Sequence, residues 1–133
     1  MLYFDHSATT PIHPDVRSLI NELNHDIYGN PSSIHAAGRK AKHVVETARK
    51  QIADAVNCAP KEIIFTGGGS EANNLVLWNM IHRDRKHVIT SAIEHPAILA
   101  VLRQLEHLGI THTIIPVNKY GLVNPENIDA AIR

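Results

Sequence analysis

The sequence predicts an α/β chain, with a helical N-terminal segment over residues 1–59 followed by alternating strands and helices of a mainly parallel sheet over residues 60–133. Three observations predict it. Apolar residues recur at three- and four-residue steps through the first half, the signature of helices. Beyond Pro60 comes a compact apolar run bounded by Pro and Gly, Glu62 to Thr66. From there such runs alternate with amphipathic stretches, the pattern of parallel strands joined by crossover helices.

Leu2-Tyr3-Phe4-Asp5 is a short apolar run broken by Ser7-Ala8-Thr9-Thr10-Pro11, which predicts an extended arm followed by a loop. From Pro14, the positions Val16, Leu19, Ile20, Leu23 and Ile27 form one helical face that closes near Tyr28-Gly29-Asn30-Pro31. Ser32 and Ser33 are N-cap candidates for a long second helix carrying Ile34, Ala37, Ala41, Val44, Val45, Ala48, Ile52, Ala55 and Val56 at helical spacing. Gly38 is its weak point, costing about 1 kcal/mol relative to alanine at an exposed position.

Glu62 to Thr66 reads as a strand, Gly67-Gly68-Gly69 as a loop, and Ser70 to about His82 as a helix. The cycle repeats with a strand at His87–Ser91, a helix from Pro96 to His107 and a strand from Thr111 to Pro116. After a turn at Asn118 to Gly121, Asn124 is placed to cap a helix with Pro125 at its first position, and Ile128 and Ile132 begin an apolar stripe. That stripe reaches Arg133 after roughly two turns, with no further strand for the sheet, so the expectation is a sequence cut from a longer one.

Thirteen basic and thirteen acidic residues are spread without blocks of one sign, which argues against a nucleic-acid or membrane-surface partner. No apolar stretch approaches the roughly 20 residues of a membrane helix, and the start lacks a secretory pattern; a soluble, cytoplasmic protein is expected. Ten histidines are the compositional oddity. None forms a His-Glu-x-x-His motif or joins a cysteine pair, so no metal site is expected and most are read as surface or helix residues. Cys58, the single cysteine, reads as a packed small residue.

Two segments carry chemistry. A triple glycine between an apolar run and a helix start brings bare N–H groups close to an anion, where the helix dipole adds roughly half a positive charge. Ser70 adds a hydroxyl donor. Thr66-Gly67-Gly68-Gly69-Ser70 lacks the Lys-Ser/Thr of a P-loop and the third glycine of a dinucleotide fingerprint, so phosphate is favoured over a nucleotide, and taken alone the loop reads equally as a tight strand-to-helix connection. His95 follows the strand at His87–Ser91, at the carboxyl end where open α/β sheets bind ligands; without further context it reads as a strand-end histidine satisfied by backbone.

Four blocks resemble cysteine desulfurases, in the same order: Tyr3-Phe4-Asp5-His6-Ser7-Ala8-Thr9-Thr10-Pro11, Gly29-Asn30-Pro31-Ser32-Ser33-Ile34-His35, Phe65 to Asn74, and Glu94-His95-Pro96-Ala97-Ile98-Leu99. The resemblance implies a fold-type I, class V aminotransferase-like enzyme dependent on pyridoxal 5'-phosphate (PLP). Residues 1–59 would be its N-terminal arm and helical segment, and 60–133 the beginning of its PLP-binding large domain. Gly69 and Ser70 would hold the cofactor phosphate, and His95, as cofactor contact and catalytic residue, would stack on the pyridine ring. The Ser7–Thr10 and Gly29–Ser33 segments would lie near the active-site mouth.

The resemblance further implies L-cysteine as substrate, conversion to alanine with sulfur passed to an enzyme cysteine, a homodimer, and sulfur-acceptor or scaffold partners in iron-sulfur or thio-cofactor synthesis. In that family the cofactor lysine sits in a Ser-x-His-Lys motif. Lys40, Lys42, Lys50, Lys61, Lys86 and Lys119 stand in no such motif, and Cys58 precedes the sheet. The expectation is therefore a piece that binds and orients without the covalent chemistry. Selenocysteine lyase or another class V enzyme, a noncatalytic or split-enzyme interaction module, and a plain anion-binding module remain the alternatives.

Overall fold

The computed structural model describes residues 2–133. Its elements are α1 (Pro14–Asp26), α2 (Ala36–Ala55), α3 (Gly69–Trp78), β1 (His87–Ser91), α4 (Pro96–Glu106), β2 (Thr111–Ile115) and α5 (Pro125–Ala131), with 3₁₀ turns at Pro60–Glu62 and Asn79–His82. They form two compact units, Met1–Ile64 and Phe65–Arg133. No helix among the described residues is long and apolar enough to cross a membrane.

In the first unit, α1 begins at His13-Pro14, where the proline's missing N–H is harmless and the His13 imidazole accepts from the Asp15 amide at 3.3 Å. The apolar face forms as its spacing predicts, yet Val16, Leu19 and Ile20 stay exposed and no residue of α1 is buried. The cap of α2 falls two to three residues later than its serines suggest. The Ser32 amide donates to Asn30 Oδ1 and the Ser33 amide to the Asn30 carbonyl, each at 2.9 Å, which commits both residues to a turn. His35 caps instead, its Nδ1 accepting from the Gly38 amide at 3.2 Å.

Gly38 is buried, which reverses the expectation of a weak point. A Cβ there would press into the Ser33 carbonyl oxygen and stand 2.7 Å from the Asn30 carbonyl oxygen, so only glycine lets the 30–33 turn lie against α2. The helix ends in a left-handed residue, Asn57 (φ 56°), with the Cys58 amide bonded to the Ala53 carbonyl at 2.9 Å and the Asn57 amide to the Asp54 carbonyl at 3.3 Å, a Schellman closure. Cys58 is half-buried beside it.

The strand expected at Glu62–Thr66 does not form. β1 pairs with β2 and no other described strand exists to continue a ladder. Glu62 belongs to a 3₁₀ turn and accepts the Ala59 amide at 2.7 Å, Arg49 Nη1 donates to the Ile63 carbonyl at 2.5 Å, and Ile64 and Phe65 are exposed.

In the second unit, β1 and β2 are parallel, in register from His87 opposite Thr111 to Ser91 opposite Ile115, with α4 as the crossover between them. Leu77 of α3 meets Leu102 and Leu105 of α4 and Ile110 in the core, with Val88 and Ile98 packed against them. α4 also closes with a Schellman motif: Gly109 (φ 80°) takes the left-handed position, and the Ile110 amide bonds the Leu105 carbonyl at 3.1 Å. Both side chains are fully buried, so the hydrophobic contact that accompanies this motif is made inside the core. Asn124 caps α5 at 3.1 Å with Pro125 in the first position, as the sequence predicts, but Ile132 is already extended and the stripe ends with Ala131.

Candidate functional site

α3 opens at Gly68, with Gly69, Ser70 and Glu71 as its first three residues. The first backbone bond of the turn runs from the Ala72 amide to the Gly68 carbonyl at 3.1 Å. The amides of Gly69, Ser70 and Glu71 therefore head the helix without intrahelical acceptors, where an anion is favoured. A Cβ at Gly68 or Gly69 would meet no atom within 4 Å, so the loop leaves open space over these amides.

The loop is held by its own side chains. Glu71 Oε2 accepts from the Gly67 amide at 2.5 Å, Thr66 Oγ1 donates to the Gly68 carbonyl at 3.2 Å, and Asn74 Nδ2 donates to the Ser70 carbonyl at 2.7 Å. Trp78 Nε1 in turn donates to Asn74 Oδ1 at 3.2 Å. Glu71 and Asn74 thus fix the backbone, and the Ser70 hydroxyl makes no bond within the described residues.

His95 lies four residues beyond β1 as N-cap of α4. Its Nδ1 accepts from the Ala97 amide at 3.1 Å, and Pro96 holds the first helical position. Because Nδ1 is an acceptor, a neutral ring in this cap carries its proton on Nε2. The ring is exposed and its Nε2 and faces are unengaged by the chain. His13 and His35 make the same cap, so the cap alone is structural; three of the ten histidines are accounted for in this way.

A cleft of about 250 Å³ lies between α3, β1 and α4, lined by neighbours of the two segments and not by Gly69, Ser70 or His95 themselves. Asn73, one turn into α3, lines it together with Thr90 near the end of β1 and Glu94 beside His95. Glu94 also lines a second cleft of about 280 Å³ with Ile115, Val123 and Ile128. Sequence reasoning passed over Glu94 and Ser91, although the Ser-x-x-Glu spacing of Ser91-Ala92-Ile93-Glu94 is a local hydrogen-bonding signal; Ser91 Oγ donates to Glu94 Oε1 at 2.8 Å.

The aminotransferase class-V family model matches residues 2–133. A cysteine desulfurase IscS from Methanosarcina thermophila is 42% identical over 135 residues, covering 99% of this chain and 33% of that protein. Among solved structures, a NifS-like protein superposes with TM-score 0.92 at 30% identity, over 98% of this chain and 37% of its own. A structure of SspA in complex with cysteine superposes with TM-score 0.88 at 35% identity, over 98% and 39%. The sequence spans about one third of the length of the curated relatives it matches. With the family model matched from residue 2 to residue 133 and the fold shared with NifS-like enzymes, the chain belongs to the class-V aminotransferase family.

Proposed function

We propose that this chain supplies the phosphate- and ring-binding surface for PLP in a cysteine desulfurase. The observation that carries the reading is the donor set at the head of α3: three amides without intrahelical acceptors, the Ser70 hydroxyl and open space above Gly68 and Gly69. Those groups suit a phosphate dianion without a lysine. Gly69 and Ser70 hold the phosphate, and the exposed ring of His95 supplies a flat face for the pyridine.

Bound there, PLP supplies an electron sink that stabilises charge at the substrate carbon. The chain's own part is to fix the phosphate, orient the ring plane, and present an Nε2 proton on His95 as the catalytic group near the reacting atoms. The relative solved in complex with cysteine supports L-cysteine as the substrate; alanine and protein-bound sulfur as products rest on the family resemblance. Action as a cytoplasmic homodimer that hands sulfur to acceptor or scaffold proteins for iron-sulfur cluster synthesis completes the proposal and rests on the family resemblance.

The test uses 4'-deoxypyridoxine 5'-phosphate, which lacks the aldehyde that would react with the six surface-type lysines. Calorimetric titration should give binding at least about tenfold tighter than for 4'-deoxypyridoxine, the value of one charge-assisted hydrogen bond. Equal affinity with and without the phosphate would refute the site.

A further inference from the structure

The connection between β1 and α4 is tied at three points. The Ala92 amide donates to the Ile115 carbonyl at 2.9 Å, carrying the sheet ladder one residue past β1. Ser91 Oγ donates to Glu94 Oε1 at 2.8 Å, closing the turn side chain to side chain in a half-buried setting. Pro96 restricts its predecessor to extended backbone, and His95 sits at φ −61°, ψ 147°. At the end of this tied turn the His95 ring satisfies the first free amide of α4, its Nδ1 accepting from Ala97.

We propose that Glu94 is a positioning residue for His95: the Ser91–Glu94 bond locks the strand-to-helix turn so that the imidazole keeps its cap and presents Nε2–H to its ligand. This rests on the reading of His95 as the ring contact, but the geometric claim concerns the chain alone. His13 and His35 cap their helices without a strand-end tie, preceded by Ile12 and Ile34, so a histidine cap as such needs no carboxylate in the preceding position. Glu94 is instead the residue that joins the sheet end to the cap. Its charge also stands just before a helix N-terminus, where the dipole favours it.

The test is nitrogen NMR of the full chain with ¹⁵N-labelled histidine, His95 being assigned through His95→Asn. The native chain should show His95 predominantly as the Nε2–H tautomer. Glu94→Ala should move it toward a mixture of tautomers and speed exchange of the Ala97 amide about tenfold. Ser91→Ala should do the same, while Glu94→Gln, which keeps an acceptor for the serine hydroxyl, should restore the native pattern. The His87 Nε2 to Thr113 Oγ1 pair, 2.8 Å apart in the sheet, reports whether each variant is folded. An unchanged His95 tautomer and Ala97 exchange in folded Glu94→Ala would overturn the proposal. A tautomer change in a chain that binds no deoxypyridoxine phosphate would uphold the positioning role and remove the PLP reading.

Discussion

Replacing Gly38 with alanine sets helix propensity against close packing, and the two give opposite signs. Propensity alone favours alanine by about 1 kcal/mol in a helix interior. In the structure, however, the new Cβ would overlap the Ser33 carbonyl oxygen and lie 2.7 Å from the Asn30 carbonyl oxygen and 2.8 Å from Ser33 Cβ. Two of these are backbone atoms, so relief requires the turn to move. That turn is held by the Ser32 and Ser33 amides on Asn30, two hydrogen bonds worth about 1 kcal/mol each. Overpacking of this kind costs about 1–3 kcal/mol, and loss of the turn bonds adds to it. After the propensity gain, Gly38→Ala should destabilise the chain by about 1–3 kcal/mol. Urea unfolding measures the change, and hydrogen exchange at the Ser33 amide should accelerate with it. A Gly38→Ala chain as stable as the native one, or more stable, would refute the close-approach argument.

Other perturbations separate the roles assigned in the second unit. Ser70→Ala should weaken binding of deoxypyridoxine phosphate about tenfold by calorimetry while leaving unfolding within about 0.5 kcal/mol. His95→Asn retains a side chain suited to capping α4; its thermal stability should stay near native while ligand affinity falls, whereas His95→Ala should lose both. Glu71→Ala removes the acceptor of the Gly67 amide and should speed exchange at Gly67 and weaken phosphate binding, with the rest of α3 protected. The exposed apolar face of α1, with Val16, Leu19 and Ile20, should bind the dye ANS, and Leu19→Lys should lower that fluorescence without loss of helix by circular dichroism.

Much of the second unit was legible because local signals and tertiary contacts agree there. The apolar runs at His87–Ser91 and Thr111–Ile115 become a parallel pair because α4 returns the chain to the same sheet edge, and Asn124-Pro125 starts α5 as its chemistry dictates. The run at Glu62–Thr66 has the same composition but no neighbouring strand, and a strand without a ladder is not stable by itself. The cap of α2 was misplaced because serines are the usual N-caps, while the Asn30 side chain and carbonyl had already taken both serine amides. Histidine caps carry no sequence signal that distinguishes them from surface histidines, so His13 and His35 became visible only with Nδ1 positions in hand.

The glycine loop and His95 were readable as separate ligand signals. What the sequence could not supply was the internal bracing of each, since the Glu71 bond to Gly67 and the Ser91 bond to Glu94 depend on turn geometry that neither residue encodes alone. The cleft lined by Asn73, Thr90 and Glu94 likewise depends on α3 packing against α4, a contact made through Leu77, Leu102 and Leu105.

The most direct test of the central claim is amide and imidazole NMR of the chain titrated with deoxypyridoxine phosphate. Phosphate held at the head of α3 with the pyridine stacked on His95 should give saturable shifts at the Gly69, Ser70 and Glu71 amides together with an upfield ring-current shift at His95, the other nine histidines staying in place. Shifts scattered over lysine and histidine side chains, with the Gly69 amide unmoved, would contradict it.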